Sequence, residues 1–214
     1  MNFLSHLHLA DNSHTSLAAN LAGDFAKGNI DNYPKHLQQG LWLHRQIDQL
    51  TDSHESIKEL LAHFPKQHRR IAPILIDLCF DHMLAKYWEE YHHQTLDAFT
   101  RKAYDELASC ADLPPKLIDI LPRMRNENWL LGYQSRNGLN QAITGVAKRF
   151  SKPELFNDSH NVVKQLDLEI ETAFRMFYPQ LMAYTRIWVR KTPEQYLQLN
   201  QYNHPSLKSQ LKGK

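Results

Sequence analysis

The chain has 214 residues, 42% hydrophobic and 22% charged, the balance of a globular protein with one sizeable core. A formal charge of +2 and a pI near 8.5 exclude a protein dominated by electrostatic nucleic-acid binding and mildly favour an acidic partner. Two cysteines without C-x-x-C spacing, Cys79 and Cys110, exclude a disulfide framework and a zinc knuckle, and point to a reducing cytoplasm. The apolar opening from Met1 to Leu9 is too short for a membrane span and has no basic flank, so neither a signal peptide nor a membrane anchor is expected.

The pattern is helical almost throughout. Glycine is scarce, with seven residues, and no hairpin signal lies between alternating apolar runs. Helices are expected near 3–9 and 14–27, the second stopped by Gly28-Asn29. Pro34 opens a third, about 35–51. Ser53 caps a fourth that runs to Phe64. A long fifth covers 66–92, with a bend at Pro73. Further helices follow at 95–109, 114–131 with a break at Pro122, and 138–149. The last covers 158–188 and contains Pro179. The expected fold is all-α, a single helical-bundle domain over residues 1–190, with a polar, basic tail over 191–214.

Aromatic residues of the C-terminal half recur at helical spacing: Trp129, Leu130 and Tyr133, then Phe174, Phe177, Tyr178 and Leu181. Such a stripe reads as core that braces the helices carrying the polar residues.

Those polar residues cluster early. They are His6 and His8, then Asp24, then His44 and Asp48, then Asp77, Asp81 and His82. Side chains four apart share a helix face, so His44/Asp48 and Asp77/Asp81 are pairs able to point at one centre. Imidazole nitrogen with carboxylate oxygen suits a divalent cation such as Mn²⁺, Zn²⁺ or Fe²⁺. The chain is rich in histidine, so one pair alone carries little weight; the four groups together carry the reading. Asp77 and Asp81 lie in an apolar run, where two carboxylates need a cation or a proton between them. His82 sits about 100° around from Asp81, as an edge ligand or as a general acid or base. Arg45 and Arg69 are candidate phosphate forks; the bland reading makes Arg69 and Arg70 a solvated patch with Lys66. P-loop, G-x-G-x-x-G, G-x-S-x-G and H-E-x-x-H motifs are absent. Glu90-Tyr-His-His93 contains the Glu-x-x-His of di-iron bundles, but no second copy occurs.

The segments Asn2-Phe-Leu-x-His-Leu-His-Leu9, Asn20-Leu-x-x-Asp-Phe25, His44-Arg-x-Ile-Asp48, Arg69-Arg-x-Ala-Pro73 and Asp77-x-x-x-Asp-His82 resemble the bacterial acyl carrier protein phosphodiesterases. The similarity extends to about residue 190. It implies hydrolysis of the phosphodiester joining 4′-phosphopantetheine to a serine of holo-acyl carrier protein. It also implies an HD-like fold and dependence on manganese, with Mg²⁺ or Fe²⁺ as alternatives. The HD motif is distorted, because no His-Asp doublet occurs, only the reversed Asp81-His82. On this resemblance the expected ligands are Asp24, His44, Asp48, Asp77 and Asp81, with His82, Arg45 and Arg69 catalytic. His6 and His8 are expected to replace one ligand or to support the others. Lys66, Arg69, Arg70, Arg123 and Arg125 are candidate contacts for an acidic carrier protein. Two other readings stay open: hydrolysis of a small nucleotide or phosphomonoester, and a helical binding protein without catalysis.

Overall fold

In the computed structural model, which describes residues 1–197, the chain is all helix and turn, and no strand occurs among the described residues. The α-helices are α1 (Phe3–Asn12), α2 (Leu17–Leu21), α3 (Lys35–Ser53), α4 (Glu55–His63), α5 (Ala72–Lys86) and α6 (Trp88–Tyr91). They continue with α7 (Leu96–Ser109), α8 (Pro115–Asn126), α9 (Trp129–Gly132), α10 (Arg136–Ala147), α11 (Ser159–Gln165) and α12 (Asp167–Arg190). No helix among the described residues is long and apolar enough to cross a membrane.

Two expected long helices are broken. The stretch 66–92 is a 3₁₀ turn at Lys66–His68, then α5, then α6. Pro73 bends nothing, because it lies in the first turn of α5, where its missing N–H leaves no bond unmade. The stretch 158–188 divides at Leu166 into α11 and α12, while Pro179 stays inside α12. Pro122 likewise lies within α8, and the break comes at Asn128, whose φ of 47° is left-handed. The cap of α4 is His54, which accepts from the Ser56 amide, rather than Ser53. Most of the expected tail lies outside the described residues.

The centre of the bundle is α1. Every residue from Phe3 to Ala10 is buried, and α2, α3, α5 and α12 pack around it. The aromatic stripe of α12 is core as expected, with Phe174, Phe177, Tyr178 and Leu181 fully enclosed and Phe80 of α5 edge-on to Phe174. Helix α3 lies hard against α2. A Cβ at Gly40 would come within 2.5 Å of the Ala19 Cβ and 2.7 Å of the Asn20 amide nitrogen, so only glycine allows that approach. His44 and Asp48 follow Gly40 at intervals of four, and the same close packing turns them toward α1.

A buried helix start needs acceptors for its first amides. Asn2 supplies no side-chain cap. Instead Asp81, at 0% exposure in α5, accepts from the Leu4 amide at 2.8 Å through Oδ2 and from the Ser5 amide at 2.8 Å through Oδ1. One carboxylate thus caps a helix that lies 76 residues away in sequence. Burial raises its pKa to about 7, against the lowering by its bonds to Ser5 and Leu4. Asp81→Ala should leave two buried N–H groups unpaired and cost about 2–6 kcal/mol of stability, at about 1–3 kcal/mol per orphaned group. Asp81→Asn, which keeps one acceptor oxygen, should cost less; equilibrium denaturation of the three proteins checks the order.

Candidate metal centre

Three elements meet at the N-terminal side of α1. His6 comes from α1 itself, His44 and Asp48 from one face of α3, and Asp24 from the 3₁₀ turn Ala22–Asp24 that ends α2. The His6 and His44 rings stack at 3.9 Å between centroids, tilted by 23°. Asp48 faces both: Oδ2 lies 3.0 Å from His44 Nε2 and Oδ1 lies 3.2 Å from His6 Nε2. His6 Nδ1 meets Asn20 Oδ1 of α2 at 3.1 Å. Donor atoms of His6, Asp24 and His44 all lie within 4.8 Å of one another.

This is a group that could hold a metal ion. His6 Nε2 and His44 Nδ1 are buried and have no aligned hydrogen-bond partner in the protein. An orphaned buried imidazole nitrogen is costly unless something binds it. The chemistry of the set, two imidazoles and several carboxylates, fits a divalent cation.

Gly23 lets the rings sit there. A Cβ on it would fall 2.2 Å from His44 Cγ, so the backbone before Asp24 closes directly onto the imidazole. Asp24 has one side open to solvent and protein on the other. The surrounding protein, which removes water, raises its pKa to about 6; His44 acts against the rise, and Asp48 adds to it. Burial also disfavours ionisation of Asp48, but the His44 and His6 imidazoles outweigh it and hold this carboxyl well below the usual range. Burial keeps His6 neutral, with a pKa lowered to about 3, and the neighbouring His44 pushes the same way. Neutral imidazole is the form that binds a metal.

Asp77 flanks this group. The buried Met1 α-ammonium lies 3.0 Å from Asp77 Oδ1 and 3.6 Å from Asp48 Oδ1. Burial would lower the pKa of this amine, but the two carboxylates lift it to about 10. Burial raises the pKa of Asp77, with the ammonium opposing. Three carboxylates, Asp24, Asp48 and Asp77, thus face one fixed cation, which leaves two negative charges in excess when all are ionised.

The expected site residues divide accordingly. Asp24, His44, Asp48 and Asp77 come together, and His6 joins them. Asp81 does not: both its oxygens are committed to the start of α1. His82 points elsewhere, its Nδ1 2.6 Å from the Tyr133 carbonyl. His8 lies on the other side of α1, between the Tyr178 hydroxyl and the Tyr91 carbonyl. Arg45 binds the Gly28 carbonyl, so it ties down the loop that follows Asp24. Arg69 is exposed in the turn before α5 and forms no bond to the cluster. Sequence reasoning passed over Asn20, Gly23 and the Met1 amine. The Asn20-Leu-Ala-Gly-Asp24 string held a signal for the first two, but an α-amine carries no residue-type signature.

Residues 1–181 match the family described as acyl carrier protein phosphodiesterase. The chain is 36% identical over 185 residues to an acyl carrier protein phosphodiesterase of Klebsiella pneumoniae subsp. pneumoniae, which spans 85% of this chain and 96% of that protein. It is 34% identical over 186 residues to a protein of the same name from Enterobacter sp., covering 86% and 96%. A Shigella boydii protein of that name is 33% identical over 188 residues, again 86% and 96%. No solved structure matches.

Gly23→Ala should displace the His44 ring and break its contact with Asp48 while the bundle stays folded. Divalent-cation affinity should then fall about 10–100-fold, the usual cost of disturbing the support of a ligand. Calorimetric titration of protein freed of metal by chelation, with circular dichroism as the folding control, checks this.

Proposed function

The chain belongs to the acyl carrier protein phosphodiesterase family, and we propose on that basis that it hydrolyses the phosphodiester between 4′-phosphopantetheine and a serine of holo-acyl carrier protein. The products are apo-carrier protein and 4′-phosphopantetheine. The single observation that carries the site is the His6, Asp24 and His44 group, in which His6 Nε2 and His44 Nδ1 are buried without an aligned hydrogen bond beside excess carboxylate charge.

His6, Asp24 and His44 would hold a divalent cation, with Asp48 in reach of both imidazoles and Asp77 beyond it. Mn²⁺ is our first choice, Mg²⁺ and Fe²⁺ the alternatives, from the mixed nitrogen and oxygen donors and the resemblance to the distorted HD group. Such a cation supplies Lewis acidity at the phosphoryl oxygens and activates water. The chain's own residues do the rest. Asp48 fixes the orientation of His44 through Nε2, as a carboxylate behind a ligating histidine does, and Asn20 does the same for His6 through Nδ1. The Met1 ammonium holds Asp77 and keeps carboxylates from repelling one another. Asp24 stands at the open edge of the group, the side from which water and substrate would reach the cation. Arg45 of α3 reaches the loop after Asp24 at the Gly28 carbonyl, where its charge would offset that of the non-bridging oxygens. Arg69, free on the surface, is better placed to meet the acidic carrier, together with Lys66 and Arg70. We assign His82 a structural role at Tyr133 and Asp81 the cap of α1. The free thiols Cys79 and Cys110 are consistent with a cytoplasmic setting.

Holo-carrier protein incubated with the enzyme and Mn²⁺ should lose the mass of the phosphopantetheine group, read by mass spectrometry. An unchanged carrier mass with every one of the three cations would sink the assignment. Asp48→Asn should keep the fold and lower Mn²⁺ affinity about 10–100-fold, with turnover falling in parallel at subsaturating metal.

A further inference from the structure

A cavity of the molecule lies apart from the acidic cluster. It measures about 580 Å³ and opens between the C-terminal end of α1, the residues after α6 and the C-terminal turn of α12. His8 belongs to its wall. His6 and His8 are two residues apart, about 200° around the helix, so the two sites sit on opposite faces of α1.

The charge of this cavity is the reverse of the other. Asp11 is the one carboxylate among the lining residues, and both its oxygens are occupied: Lys102 Nζ lies 2.6 Å from Oδ1 and His92 Nε2 lies 3.2 Å from Oδ2. Arg186 and Arg190 therefore stand unneutralised. Arg186 is held in place by a neutral partner. Its Nε and Nη2 donate to Asn12 Oδ1 at 3.1 and 2.6 Å. The Asn12 amide is pinned in turn by bonds from Nδ2 to the Met182 carbonyl and the Thr185 hydroxyl. Two of the five guanidinium donors are spent, and three remain. Arg190 has no hydrogen-bond or ion-pair partner among the described residues.

The end of α1 might be expected to repel an anion, since carbonyls cluster there. Here they are already used. Ser13 and Thr15 donate through backbone and side chain to the Leu9 and Ala10 carbonyls, and the His14 amide takes that of Asp11. Nor does the cavity suit a metal. Among the described residues its imidazoles and Asp11 do not bring three donor atoms together, as His6, Asp24 and His44 do. Tyr91, Val189 and the stacked His92–His93 pair, 4.6 Å between centroids, add flat and apolar surface beside the arginines.

We propose that this cavity is a second site, for a phosphomonoester, with Arg186 and Arg190 on the phosphate dianion and the Tyr91–His93 wall against its organic part. The volume is ample for such a ligand, and paired arginine forks match three phosphate oxygens. The site is independent of the hydrolytic reading, since it shares no residue with the acidic cluster.

The test uses full-length protein dialysed against EDTA, so that no metal at the acidic cluster recruits phosphate. Phenyl phosphate titrated by calorimetry should bind saturably at one site, and inorganic phosphate should compete. Arg186→Gln/Arg190→Gln should weaken binding about tenfold or more, as expected for lost charged hydrogen bonds. Asp24→Asn should not change it. Both arginines are exposed, and circular dichroism confirms that the double variant folds. In the wild type, phenyl phosphate should also protect Arg186 and Arg190 from phenylglyoxal, read by peptide mass. Absence of saturable binding, equal binding by the double variant, loss of binding in Asp24→Asn, or no protection of either arginine would each overturn the proposal.

Discussion

Burying α1 on every side is the constraint on which this structure rests. A helix enclosed from Phe3 to Ala10 cannot leave its polar groups to water, and this one carries Ser5, His6 and His8. Most of these demands are met from other elements, while Ser5 Oγ and His6 Nε2 have no aligned hydrogen-bond partner among the described residues. Asp81 of α5 takes the first amides, Asp48 of α3 and Asn20 of α2 address His6, and Tyr178 of α12 takes His8. The apolar face of α1 holds the bundle together; its polar residues decide which helices stand beside it and in what register.

That arrangement also explains why the molecule has two poles of opposite charge. Helix α1 is ten residues long, about 15 Å at 1.5 Å per residue. At its start, carboxylates from three elements gather around two imidazoles and an ammonium. At its end, arginines and imidazoles gather around one neutralised carboxylate. The acidic pole has too little positive charge of its own and the basic pole too little negative charge. A divalent cation and a phosphate dianion are the chemical complements of these two deficits.

Close packing without side chains is what brings the acidic pole together. Gly40 allows α3 to lie on the backbone of α2, and Gly23 allows the next turn to close on the His44 ring. Neither glycine has a side chain to bond with. Their effect is to remove about one methyl group of thickness at two places, so that residues from α1, α2 and α3 share a space of a few ångströms. Arg45 then ties the exit of that turn through the Gly28 carbonyl.

The all-α architecture was legible in the sequence because helical periodicity and scarce turn signals are local properties, and so was the aromatic stripe of α12. The pairing of His44 with Asp48 was legible too, since a spacing of four alone places both on one face. What periodicity could not decide was which of two such carboxylates faces which neighbour. Asp77 and Asp81 lie on the same face of α5, yet one turn separates the Met1 ammonium from the start of α1, and that turn sends Asp81 to cap a helix. His6 and His8 look alike in sequence, but 200° of rotation puts one at each pole. Pro73 and Pro179 were equivalent as residues, and only the point where each helix begins made the first a start and the second an interior residue. The sequence by itself determined the helices and the inventory of groups able to bind a cation or an anion. Tertiary structure decided their partners, because a buried polar group is satisfied by whatever the packing brings within hydrogen-bond distance, and that depends on residues far away in the chain.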